Sequence, residues 1–71
     1  MAENVTAHIT GVVFQIVASA GTRVGAGEPI IVLESMKMEI PVEAPRTGTV
    51  IAIHVAEGQT VQEGDVVASL E

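Results

Sequence analysis

The chain holds no cysteine, tryptophan or tyrosine, and it has a single phenylalanine, a single lysine and only two leucines. Without thiols, neither a disulfide framework nor a thiolate metal site can stabilise it, so the core must do so by packing. The longest uninterrupted apolar runs are four residues, far short of a membrane span. The opening Met1-Ala2-Glu3-Asn4 lacks the basic stretch and apolar run of a secretory leader. This reading predicts a cytoplasmic chain, in which the sequon Asn4-Val5-Thr6 has no consequence. Basic charge is scarce too: three basic side chains against nine acidic ones leave a formal charge of −6. That balance repels phosphate backbones and anionic headgroups, and it argues against nucleic acid and membranes as partners.

What is present points to strands. Valine (12), isoleucine (7) and threonine (6) dominate the 71 residues, and β-branched side chains lose rotamer freedom in helices. Seven glycines and three prolines punctuate the chain often enough for short strands joined by turns. A chain of this length makes one domain, residues 1–71.

The sequence also repeats. A shift of 37 positions aligns Thr10 to Glu34 with Thr47 to Glu71, and nine of the 25 pairs are identical. They include Thr10/Thr47, Gly11/Gly48, Val13/Val50, Gly21/Gly58 and Gly27/Gly64. A recurring glycine implies the same backbone angle or close approach, and a recurring valine the same buried slot. Each half reads as a long strand (Gly11 to Ala18, Gly48 to Val55), a glycine turn, and a short strand near Val24 or Val61. A second glycine turn then leads to a closing strand (Pro29 to Glu34, Val66 to Leu70). Val5 to Ile9 and Met38 to Glu43 add two more strands. Val13 and Ile16, like Val50 and Ile53, are three apart, so each long strand needs a bulge to bring both to one face. The expectation is an all-β fold: a flattened barrel or sandwich of two four-stranded antiparallel sheets related by a pseudo-twofold axis.

Ser35 to Arg46 lies between the repeated halves and does not take part in this alignment. Function is sought there first. With strands on either side, Ser35, Met36 and Lys37 form a tight turn at a hairpin tip, which projects Lys37 into water. As the only lysine, it has no competitor within the chain. A plain alternative is a solvated lysine that discourages edge pairing. Two flexible, polarizable thioethers beside one amine at an exposed turn instead suggest docking, although Met36 and Met38 could equally fold back as core filler.

Glu34-Ser35-Met36-Lys37-Met38, followed by Ala44-Pro45 and Gly48-Thr49-Val50, resembles the biotinyl domain of the biotin carboxyl carrier family over essentially the whole chain. The resemblance implies that Lys37 bears biotin through an amide, with Met36 and Met38 as flanking recognition residues. Ser35 stands where the family usually has alanine, and the Met-Lys-Met core is intact. The related lipoyl domains typically have Asp-Lys-Ala at this turn, so the methionines favour biotin. The chain is similar to free-standing attachment proteins, which are carriers and not enzymes. It has no thumb insertion of the kind some bacterial acetyl-CoA carboxylase carriers possess, because the Val13 to Val24 segment matches Val50 to Val61 in length.

By the same resemblance the partners are a biotin protein ligase, which activates biotin as its acyl adenylate, and the biotin carboxylase and carboxyltransferase subunits that use the loaded group. An alkylammonium is overwhelmingly protonated at neutral pH and must lose a proton before it attacks an acyl carbon, so attachment needs an external catalyst. Glu34 and Glu39 flank the turn, either as charges facing the ligase or as solubilising groups. The chain alone is expected to be monomeric. Lipoate on the same lysine is the alternative cofactor, and an unmodified partner-binding β module the alternative class. A small hydrolase lacks a nucleophile-base pair. His8 and His54 fit no metal spacing, and Gly25-Ala26-Gly27 reads as a turn and not a phosphate loop.

Overall fold

The computed structural model describes residues 2–71. Its elements are β1 (Glu3–Thr6), β2 (Gly11–Ile16), β3 (Arg23–Val24), β4 (Pro29–Ser35), β5 (Met38–Glu43), β6 (Gly48–Ile53), β7 (Thr60–Val61) and β8 (Val66–Leu70). They pair into two four-stranded antiparallel sheets, ordered β1-β8-β6-β3 and β5-β4-β2-β7. Adding 37 to the residue number carries β1, β2, β3 and β4 onto β5, β6, β7 and β8, and one sheet order onto the other.

The inner faces of the sheets meet in one apolar core. Val13, Ile30, Ile31, Leu33 and Val42 come from one sheet, and Val5, Val50, Val67, Ala68 and Leu70 from the other. Alternation along the strands leaves polar side chains outside, and no polar or charged residue is buried among those described.

Both long strands carry the expected bulge. The β2 register slips between Val13 and Gln15 against β4, and the β6 register slips between Val50 and Ala52 against β8. Phe14 and Ile51 are the extra residues and stay exposed, while Ile16 and Ile53 rejoin the core. Glycines 21, 27, 58 and 64 all have φ between 85° and 95°, the left-handed region that penalises a Cβ. Their recurrence in the sequence thus reflects one turn geometry used four times, twice in each half.

Three expectations need correction. The first strand is Glu3–Thr6, not Val5 to Ile9. A register slip at Val5/Thr6 ends its ladder, after which the Ala7 N–H donates to the Asp65 carbonyl at 2.9 Å. The long strands stop at Ile16 and Ile53, short of Ala18 and Val55. Beyond Ile16, both Val17 and Ala18 N–H groups donate to the Ile30 carbonyl, so the one-to-one ladder has ended.

The third correction concerns the repeat, which is longer than the aligned 25 residues. Val5 and Val42 are a buried pair, as are Ala7 and Ala44. The Ala44 N–H donates to Glu28 O at 2.9 Å, as Ala7 does to Asp65 O. In return, Gly27 N–H donates to Ala44 O at 2.9 Å and Gly64 N–H to Ala7 O at 2.8 Å. Thr47 Oγ1 accepts from Ala26 N–H at 3.2 Å and Thr10 Oγ1 from Glu63 N–H at 3.3 Å, which explains why that threonine recurs. What lies outside the repeat is the turn between β4 and β5.

Candidate functional site: the β4–β5 hairpin tip

Strand β4 supplies Ile30, Ile31 and Leu33 to the core, and β5 supplies Val42, so the hairpin is anchored at its base. Its ladder continues outward through Leu33/Ile40 and Glu34/Glu39 to Ser35/Met38. Two residues, Met36 and Lys37, close the turn with φ of 53° and 64°. Positive φ at both central positions defines a type I′ turn, whose twist matches that of the paired strands. The usual occupants are Asn-Gly. For other L-residues a left-handed backbone costs about 1–2 kcal/mol each, so the packed ladder below holds this tip in a costly conformation.

Both methionines point away from the core: Met36 is 92% exposed and Met38 63% exposed. The core-filler reading is therefore wrong for this structure. Lys37 is exposed, and no ion pair engages it among the described residues. Its amine thus stands in water between two uncovered thioethers, a geometry suited to acylation by an external catalyst and to a swinging tether. Glu34 and Glu39 are exposed and directly opposite one another, and like charges so placed repel.

The remaining candidates do not converge on chemistry. His54 Nε2 lies 2.8 Å from Ser69 Oγ, whereas His8 lines a groove of about 460 Å³ with Thr6, Ile40, Pro41, Val42 and Glu43. No group of three His, Cys, Asp or Glu able to hold a metal occurs among the described residues. Gly25 to Gly27 forms a turn in which the Gly25 N–H donates to the Glu28 carboxylate. Sequence reasoning missed Gly11 as part of the site's support. A Cβ there would meet the Glu34 carbonyl oxygen at 2.8 Å, so the bare backbone of β2 sits against the strand that presents the turn.

Two quasi-identical β units that hold one lysine on a strained, exposed turn define a carrier domain of the biotinyl and lipoyl type. The model of the family described as biotin-requiring enzyme matches residues 1–70, and the chain belongs to that family. It is 46% identical over 68 residues to the biotinylated protein TB7.3 homolog of Mycobacterium leprae, with 96% of each chain covered. Among solved structures, the Kluyveromyces lactis urea carboxylase superposes with a TM-score of 0.94 at 37% identity. That match covers all of this chain and 6% of the carboxylase. The lipoyl domain of the Azotobacter vinelandii 2-oxoglutarate dehydrogenase complex superposes less closely, with a TM-score of 0.71 at 29% identity, covering 87% of this chain and 78% of that one.

Proposed function

We propose that this chain is a biotin carrier loaded at Lys37 by a biotin protein ligase, and that it presents the group in turn to biotin carboxylase and carboxyltransferase subunits. The observation that carries the reading is the sole lysine at the centre of a type I′ turn, flanked by exposed Met36 and Met38. Once the ligase removes its proton, Lys37 Nζ forms an N–C bond to the activated carboxyl carbon of biotin. The bond from that carbon to AMP breaks as AMP leaves. The amide removes one positive charge, making the formal charge one unit more negative than −6. When bound, biotin supplies a ring nitrogen that accepts and yields a carboxyl group.

The protein supplies position. A rigid sandwich holds the tether's root, while an uncovered tip leaves its far end free to visit two active sites at high effective concentration. Glu34 and Glu39 offer the ligase an acidic approach to the amine. Monomeric behaviour before loading and a cytoplasmic location complete the proposal, and size-exclusion chromatography and cell fractionation test them.

Co-expression with a biotin ligase, followed by intact mass measurement, tests the assignment. The expected result is one biotinyl group per chain, mapped to Lys37 and absent from Lys37→Arg at unchanged fold. A lipoyl mass would favour the alternative cofactor, as on the solved lipoyl domain. No added mass, with wild-type activity retained by Lys37→Arg, would favour an unmodified binding module.

A further inference from the structure

The internal repeat gives every exposed position a control, because its partner 37 residues away occupies the same place on the opposite sheet. Differences between mates on the outer faces are therefore not dictated by the fold. On the hairpin sheet, Val12 stands opposite Glu34 and Glu34 opposite Glu39, while Val32 stands opposite both Gln15 and Pro41. On the other sheet the equivalent places hold Thr49 for Val12, Ser69 for Val32 and Asn4 for Pro41. Val17, just past the end of β2, and Val32 in β4 occupy the places whose mates, His54 and Ser69, form the 2.8 Å polar contact.

Four apolar residues thus stand where the fold accepts threonine, serine, asparagine and histidine. Gln15 against Ala52 is an exchange in the other direction. Val12 and Val17 are 38% and 47% exposed, Phe14 lies beside them at the exposed bulge, and Pro41 is exposed on the edge strand. A solvated sheet face gains nothing from this composition, whereas a face that meets a partner does. The strip runs up the sheet to the Glu34/Glu39 pair and then to the turn that carries Lys37.

We propose that this outer face of the β5-β4-β2-β7 sheet is the surface by which the biotin protein ligase recognises the chain, an inference that rests on the reading of Lys37 as its acceptor. Before loading, the tip offers one ammonium group and the two thioethers of Met36 and Met38, a small patch, so selection of this acceptor draws further binding energy from the face below it. A downstream carboxylase has the biotin ring to hold. The complementary ligase surface has an apolar centre with Lys or Arg at the end that meets Glu34 and Glu39.

The test transplants the mates. Val12→Thr, Val32→Ser and Pro41→Asn together replace the strip with residues that the same fold carries on its other face, and Ile51→Thr there serves as control. In steady-state attachment assays the triple variant is expected to lose at least tenfold in kcat/KM, mainly through KM, and to reach full loading at high ligase concentration. Ile51→Thr is expected to load like wild type. Independently, titration of the ligase into isotopically labelled wild-type chain is expected to shift the amide signals of Val12, Val17 and Val32, leaving those of Thr49, His54 and Ser69 in place. This second measurement decides the matter if the triple variant does not fold. Wild-type kcat/KM in a folded triple variant overturns the proposal, as do shifts confined to the other sheet. Normal loading with impaired carboxylation also overturns it and assigns the face to the carboxylase. If wild-type chain takes up no biotin, it is the Lys37 reading that fails instead.

Discussion

Gly11 and Glu34 touch through bare backbone: a Cβ on Gly11 would stand 2.8 Å from the Glu34 carbonyl oxygen and 3.5 Å from Leu33 Cβ. The same relation recurs in the other sheet, where a Cβ on Gly48 would stand 2.5 Å from the Glu71 carbonyl oxygen. Backbone cannot swing aside as a side chain can, so any methyl group here displaces a strand. Gly11→Ala is expected to lower stability by about 1–3 kcal/mol, the usual cost of overpacking. Denaturant unfolding checks this, and an unchanged midpoint would show that β4 moves aside freely.

The twofold relation makes a quantitative prediction about the core. Val13 and Val50 are both fully buried at equivalent places beside the two bulges. Truncating either to alanine loses two carbons of burial and leaves a cavity, about 2–3 kcal/mol in each case. The two losses are expected to agree within about 0.5 kcal/mol, and to add in the double variant only to the extent that the sites do not share a cavity. A large inequality between them would mean that the halves pack differently despite their common register.

Seven of the eight strands and their packing as two sheets in a symmetric sandwich were legible from spacing, because recurring valines and glycines mark buried slots and left-handed turns. The opening strand begins earlier than Val5, and the strand order within each sheet was not legible. Nor was the match of β1 to β5. Only Val5/Val42 and Ala7/Ala44 recur there, since water places no comparable constraint on the outward residues. Lys37 stood out through its solitude and its methionine flanks. Its turn type was hidden, because neither Met36 nor Lys37 is the residue that a type I′ turn prefers, and the conformation is imposed by the ladder below it. The bulges were required by the three-residue spacing of the core positions, yet which residue bulges depends on the partner strand's register.

Arg46 closes the end of the sandwich that holds the first and last strands. Its Nε donates to Glu3 Oε1 at 2.8 Å, and Nη1 donates to the carbonyls of Thr47 and Glu71 at 3.1 and 3.2 Å. The ion pair is about half exposed on both sides, so solvent screening leaves it about 0–1 kcal/mol. Glu3→Gln is therefore expected to be nearly silent and insensitive to salt. Arg46→Ala is expected to cost more, about 1–2 kcal/mol, because the backbone oxygens of Thr47, Leu70 and Glu71 lose a charged donor as well. Thermal unfolding of the two variants at low and high salt distinguishes an ion pair from a carbonyl clamp. Equal losses that vanish together in salt would favour the ion pair.

Met36 allows strain and recognition to be separated. Its side chain is 92% exposed, so replacing it removes little burial, while its φ of 53° carries the left-handed penalty. Asparagine tolerates that region and is a favoured first residue of a type I′ turn. Met36→Asn is expected to stabilise the chain by about 1 kcal/mol, which in a domain of this size raises the unfolding midpoint by about 4–8 °C. If the thioether is part of what the ligase reads, the same variant loads several-fold more slowly although Lys37 keeps its place. Stability and loading would then move in opposite directions, as expected where a site keeps a costly residue for function. A variant that loses stability would contradict the strain argument, because nothing buried has been removed. One that gains stability and loads at the wild-type rate would confine the role of Met36 to the backbone and leave Met38, with the face below it, to provide recognition.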